Sequence, residues 1–299
     1  MDERMITFIQ LLISGIAIGL IYALAALGVV IVYKATKVLN LAPGGLLLVC
    51  AYLAWMFLVQ LGFPIPIAIA AAIGATAIIG WFVERFALRP LIGQPILASI
   101  VLTNMIWFFF RGITFFFWGG NPRMFPKWLA GRPTLFIGGI GIPQIMIWCV
   151  VISALTITAL MIYFKFTRSG LAMRVTAEDV IVAENLGINV TRVFSNTWII
   201  CLLLFLITAY FVGAIQGVSQ DLDFVGVYGV IVALLGGLES FPGAIIAGLV
   251  IGIVQSMAGG YFADVLGGGI AETAPFIVMF LMSFWRPYGF FGLERIERI

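Results

Sequence analysis

KFTRSGLAMRVTAEDVIVAENLGINVTR, running from Lys165 to Arg192, is a polar island between two apolar runs. It holds seven charged residues in a chain that has only 16 basic and 13 acidic side chains among 299 residues. Too polar to enter lipid and flanked by segments that suit it, the island marks the chain as one that threads a membrane repeatedly and leaves a defined piece outside. A capped polar segment of this kind has the make-up of a docking surface for a soluble partner.

Composition supports the threading. With 63% hydrophobic and 10% charged residues and a mean hydropathy of +1.18, the chain has too little polar surface to cover a soluble core. The first apolar run, about Thr7 to Val32, is longer than a signal-peptide core and ends in no small-residue cleavage pattern, so it reads as a retained span. The formal charge of +3 is spread over loops rather than gathered in a basic tail, which argues against nucleic acid as a partner. Cys50, Cys149 and Cys201 lie far apart in apolar runs and read as small core side chains. Histidine is absent, which removes the usual zinc ligand and general base.

Apolar segments fall near 8–32, 41–60, 64–83, 96–117, 146–164, 196–215, 225–238, 243–259 and 273–285. Lipid offers the backbone no hydrogen-bond partners, so these should be helices, and the shorter ones must be shielded by others. The expected fold is an all-α polytopic bundle of about 8–10 membrane segments, some broken, forming one transmembrane domain over residues 1–299. Lys34 and Lys37, Arg85 and Arg89, the island, and Arg286, Arg295 and Arg298 fall on one side of an alternating threading, which makes that side cytoplasmic and the 165–195 loop cytoplasmic with it. Asp221, Asp223, Asp264 and Glu272 fall on the other side. GGNPRMFPKWLAGRP, Gly119 to Pro133, breaks the rule by placing Arg123, Lys127 and Arg132 outside. With Trp118, Phe125 and Trp128 it is either an interfacial belt or a contact patch for an extracytoplasmic partner.

Inside the island, Thr176-Ala177-Glu178-Asp179 fits a capping box, with the acids placed where the helix dipole favours negative charge. Gly187 after Leu186 is a stop, so a helix of about ten residues and roughly 15 Å is expected, too short to cross a bilayer. Ile181 and Leu186 would form an apolar ridge while Glu178, Asp179 and Glu184 hold other faces, with Arg174 presented beside them from a turn at Ser169-Gly170. The alternative is a helix that rests on lipid headgroups, against which its acids count.

Pro43-Gly44 and Pro242-Gly243 each interrupt an apolar segment, one in each half of the chain, with Asn40 before the first and Glu239 and Ser240 before the second. They read either as gates in a transport path or as turns between helices. Glu239, if it lies deep, needs a partner, and Arg85 and Arg89 are candidates. Tyr22, Thr103 and Asn104 could hydrogen-bond a passing solute or glue helices together. Gly15-x-x-x-Gly19, Gly213-x-x-x-Gly217 and Gly248-x-x-x-Gly252 permit close helix contact and hence subunit pairing. Glu84-Arg85, at a span end, reads as a snorkelling anchor.

Four stretches together resemble the permease subunits of ABC importers for branched-chain and other hydrophobic amino acids. They are ALGVVIVYKATKVLNLAPGGLLLVCAY (Ala26–Tyr52), VERFALRPL (Val83–Leu91), SGLAMRVTAEDVIVAENLGINVTRV (Ser169–Val193) and LLGGLESFPGAIIAGLVIG (Leu234–Gly252). One departure stands out. Where many members carry Asn-x-Ala-(His or Gln)-Gly-Glu, this chain reads Asn40-Leu41-Ala42-Pro43-Gly44-Gly45.

The resemblance implies a multi-pass protein of the bacterial cytoplasmic (inner) membrane whose Glu178–Gly187 segment is the coupling helix received by an ATPase. It further implies a heterodimer with a second homologous permease, two cytoplasmic ATPase subunits and an extracytoplasmic solute-binding protein. No GxxxxGK[ST] loop occurs, so ATP and magnesium would sit on the partners and this chain would bind no cofactor. The competing reading is an ion-coupled secondary transporter of small organic solutes with Glu239 as its ion site, which leaves the island without a role. A membrane enzyme lacks a nucleophile with a recognisable base.

Overall fold

A computed structural model describes residues 3–91, 94–126, 134–137, 140–286 and 289–291. Lys127, Trp128, Arg132, Arg295 and Arg298 lie outside the described residues. Nine apolar helices match the nine expected segments: α1 (Glu3–Thr36), α2 (Pro43–Trp55), α3 (Ile65–Phe82), α4 (Ile96–Trp118), α5 (Gln144–Phe166), α8 (Val190–Gln216), α9 (Asp223–Gly236), α10 (Phe241–Leu266) and α11 (Ile270–Trp285). The island supplies two more, α6 (Arg168–Glu178) and α7 (Val180–Asn185). A π-helical turn, Met56–Gln60, lengthens α2, and another, Val83–Leu88, lengthens α3. Seven of these units are long and apolar enough to cross a membrane. At 14 and 16 residues, α9 and α11 are shorter than the roughly 20 residues a span needs. A small antiparallel ribbon, β1 (Leu135–Ile137) with β2 (Ile140–Ile142), precedes α5 and has no counterpart in the sequence reading.

At the centre stands α1. From Leu20 to Val32 every one of its residues is buried, which is why the run is apolar all round rather than on one stripe. Its tightest neighbour is α10. A Cβ on Gly19 would come within 2.8 Å of the Gly248 carbonyl oxygen and the Leu249 Cα, and a Cβ on Gly252 would overlap the backbone of Gly19 and Gly15. The two Gly-x-x-x-Gly pairs therefore meet each other within one chain, and the expectation that they mediate subunit pairing is corrected. Gly217, with φ +86°, ends α8 against Met124, so the third motif is a helix stop. Gly28 lies against the Phe205 ring of α8. The cysteines are buried and free, as read. Helices α3, α4 and α5 leave most of their surface outside the fold, with side chains such as Ile78, Phe116 and Leu155 exposed.

Glu84 corrects the sequence reading. It is almost fully buried, takes two hydrogen bonds from Arg89 at 3.0 and 2.8 Å and a third from Ser195 Oγ at 2.7 Å, and so ties the end of α3 to α8. Arg85 is exposed, with its guanidinium over the Trp81 ring, as an anchor would be.

Gly19→Leu or Gly252→Leu should force α1 from α10 at a cost of about 1–3 kcal/mol, seen as a lower melting temperature of the purified protein in detergent. Leucine at half-buried Gly74, which has nothing within 4 Å of its Cβ position, should leave it unchanged.

Candidate functional site

Residues 37–42 leave the helical path after α1, beginning at Lys37 with φ +54°. A backbone that is not helical inside a membrane must find partners in the protein. Here Asn40, fully buried, accepts the Ala42 N–H on Oδ1 at 2.9 Å, and Thr103 Oγ1 accepts the Leu41 N–H at 3.2 Å. Pro43 then opens α2 at a position where its missing N–H costs nothing. Gly44 and Gly45 lie directly on Trp107, with the Gly44 Cβ position 2.7 Å from the indole ring. Trp107 is the midpoint of the 23-residue α4, so α2 starts about halfway along the span that α4 makes.

The second half of the chain does the same from the opposite direction. Val218 pairs with Arg123 through two 2.7 Å backbone hydrogen bonds, a short turn follows at Gln220–Leu222, and α9 starts at Asp223. Gly226 in its first turn packs on the backbone of Pro43 and Gly44. Two half-helices thus begin against each other beside the middle of α4, and their N-terminal ends, each a partial positive charge, converge.

Asp223 is fully buried at this junction. Its Oδ2 accepts from Arg111 and, at 3.2 Å, from Trp107 Nε1. The sequence reading placed Asp223 in an outer loop and passed over Arg111 and Trp107. One signal was available: Arg111 is a lone cation in the run LTNMIWFFFRGITFFFW, Leu102 to Trp118, and an ionisable residue within a span is a functional candidate by default. A small cavity of about 90 Å³ is bounded by Leu41, Pro43, Gly44, Asn104, Trp107 and the start of α9. Of the proposed path residues, Asn40, Pro43, Gly44, Thr103 and Asn104 are therefore brought together.

The others are not. Ser240 caps α10 by accepting the Gly243 N–H at 3.1 Å, and Pro242 lies in the first turn. This Pro-Gly pair forms a turn between α9 and α10, where Gly243 abuts Gly236, and does not interrupt a span. Glu239 sits in that turn and pairs at 2.7 Å with Lys37, not with Arg85 or Arg89. Tyr22 stacks obliquely on Tyr228, ring centres 5.3 Å apart, within the bundle.

The island also differs from its expected form. Thr176 is a buried residue inside α6, not a cap. Its Oγ1 has no partner among the described residues. The cap is Asp179, whose Oδ1 accepts the N–H groups of Ile181 at 2.7 Å and Val182 at 3.1 Å. Glu178 closes α6 and Asp179 starts α7, so the single ten-residue helix is two shorter ones meeting at an elbow. Gly187, φ +78°, stops α7 as expected, with the Ile188 N–H returning to the Ala183 carbonyl at 3.0 Å. Ala183 is buried and anchors the turn, while Ile181 and Leu186 stand 70% and 68% exposed beside exposed Glu178, Asp179 and Glu184. Arg174 donates to the Phe164 carbonyl at the end of α5 and lies 5.7 Å from the Phe164 ring centre.

Comparison with known proteins gives a consistent assignment. The family model described as branched-chain amino acid transport system, permease component, matches residues 11–284. The high-affinity branched-chain amino acid transport system permease protein LivH of Salmonella typhimurium is 28% identical over all of both chains. BraD of Pseudomonas aeruginosa, similarly described, is 27% identical over 98% of each chain. A probable branched-chain amino acid transport permease protein LivH of Methanocaldococcus jannaschii is 25% identical over 91% of this chain and 88% of its own.

Thr103→Val, which keeps the side-chain shape but leaves the Leu41 N–H without its acceptor, should cost about 1–3 kcal/mol of stability. A thermal unfolding series in detergent would register it. The same change at exposed Thr158, whose hydroxyl returns to its own helix, should have no measurable effect.

Proposed function

This chain belongs to the permease family of branched-chain amino acid transport systems, and from that premise we propose that it lines the path of an ABC importer and moves by alternating access. Its cargo would be α-amino acids with branched apolar side chains, delivered by an extracytoplasmic binding protein. A second, homologous permease would complete the path as a heterodimer. Two cytoplasmic ATPases would hold ATP and magnesium, leaving this chain without a cofactor or a hydrolytic role.

The observation that carries the coupling half of this reading is the continuity between α7 and the unwound segment 37–42. Arg174 of α6 lies on one ring, Phe164, whose centre is also 5.0 Å from Lys34 Nζ. Lys34 reaches the Phe241 ring at 5.1 Å and the Glu239 carbonyl at 3.3 Å, and Lys37 holds the Glu239 carboxylate. A displacement of α6 and α7 by a closing ATPase dimer would thus bear on the end of α1 and the turn before α10. From there it would reach the backbone that leads into the half-helix α2. Rigid elements joined by packed side chains transmit such shifts because they have discrete arrangements rather than continuous play. In this scheme the exposed Ile181 and Leu186 enter an apolar groove of the ATPase, and Glu178 and Asp179 meet basic groups at its rim.

No observation favours an ion-coupled transporter built on Glu239, which lies in a turn with a lysine partner rather than at mid-span.

Ile181→Asp should remove about 2 kcal/mol of docking energy, about 30-fold in ATPase association, and lower ATP-dependent uptake into vesicles correspondingly. Paired Glu178→Lys and Asp179→Lys should act in the same direction. Normal assembly and uptake in all of these variants would remove the docking role from the island.

A further inference from the structure

Arg111 and Asp223 stand between two cavities on one face of α4. Toward the Trp118 end is a cavity of about 560 Å³, bounded by Phe108, Arg111, Phe115, Ser219 and Gln220 among others. On the other side is the small junction cavity that Trp107 bounds. Trp107 and Arg111 are one helical turn apart, and both donate to the same carboxylate oxygen of Asp223.

This is an unusual arrangement for a pair whose only task is to hold helices together. A structural Arg–carboxylate pair in an apolar setting is most stable when forked, with both oxygens engaged. Asp223 receives both donors on Oδ2, while Oδ1 is buried with no partner among the described residues. Asn40 Nδ2, in the link that leads into α2, is a second buried polar atom with no partner among the described residues. Arg111 is 40% exposed whereas Asp223 is not exposed at all, so the cation faces the larger cavity and the anion lies behind it. The pair thus keeps one spare acceptor of its own, Asp223 Oδ1.

We propose that the Arg111–Asp223 pair is a binding site for the α-carboxylate and α-ammonium groups of an amino acid in transit, the carboxylate taken by Arg111 and the ammonium by Asp223. The inference rests on the permease reading above and deepens it. A zwitterion matches the pair charge for charge, so exchanging internal for external partners leaves no uncompensated charge at mid-span. Phe108 and Phe115, on the wall of the larger cavity, receive the apolar side chain. With the ion pair closed the two cavities are separated. With it opened around a ligand they join past the N-terminal ends of α2 and α9.

The test uses the complete transporter in vesicles, with labelled leucine as the probe. ATP-dependent uptake by the unaltered transporter is the control for the permease reading itself, and its absence would remove that reading rather than the site alone. With the control in place, Asp223→Asn should lower uptake about tenfold or more while assembly and unstimulated ATP hydrolysis stay within about twofold. The double variant Arg111→Gln with Asp223→Asn leaves no orphan charge, so a merely structural pair predicts that it recovers uptake. The transport site predicts that it assembles and remains inactive. Uptake by Asp223→Asn near that of the unaltered protein, recovery in the double variant, or failure of the double variant to assemble would each overturn the proposal.

Discussion

The bundle depends on a contact made without side chains. Lipid tails are as apolar as leucine, so no hydrophobic force drives helix to helix within the membrane, and close van der Waals approach takes its place. Gly15 and Gly19 of α1 give that approach against Gly248 and Gly252 of α10, where any Cβ would strike backbone. The same device recurs where Gly229 of α9 meets Ala25, where Gly80 of α3 meets the Trp198 carbonyl of α8, and where Gly226 meets Pro43 and Gly44. Because α1 is held this closely, it is enclosed on all sides. The end of α1 and the segment after it, where the candidate site begins, therefore extend from the most enclosed of the long apolar helices.

From that post the chain makes a second commitment, to expose backbone polar groups halfway across the span. The N–H groups at the starts of α2 and α9 and in the links before them cannot go unpaired in an apolar medium. Asn40 and Thr103 accept two of these N–H groups, and the Arg111–Asp223 pair lies at the same junction. On the transport role proposed above, the same polarity would serve an amino acid in transit, whose charged ends would lose water at this depth. In that proposal, structural necessity and transport chemistry fall on the same few residues. The island at the end of α5 reaches this region by contact through Phe164, Lys34 and Lys37, without entering the membrane itself.

Much of this was legible beforehand. Nine apolar runs became nine apolar helices because hydrophobic length is a direct consequence of bilayer thickness, and their limits agree within a few residues except that α1 extends further at both ends, α8 starts earlier and α10 ends later. Gly187 was readable as a stop, since a positive φ at a helix end is a local requirement. Thr176 misled because its pattern is also local but its surroundings are not: α6 begins earlier, at a Thr167 cap, and carries Thr176 into its buried face. Asp179, one turn on, took the cap instead. The two Pro-Gly pairs are alike in sequence and different in space, one at mid-span and one in a turn. The difference lies in whether a partner helix, here α4, offers Trp107 and Thr103 at that depth.

The sequence by itself determined the solvent, the count of apolar helices, the presence of a short polar segment outside the membrane and the family. Each of these follows from hydropathy, charge placement and near-neighbour motifs, which act over a few residues. Only the tertiary structure decided which glycines touch, which charge pairs with which, and that Asp223 lies opposite Arg111 rather than in an outer loop. Those outcomes depend on helices distant along the chain arriving at one depth and one angle, and the bilayer constrains how long a helix is without specifying which face of it meets another.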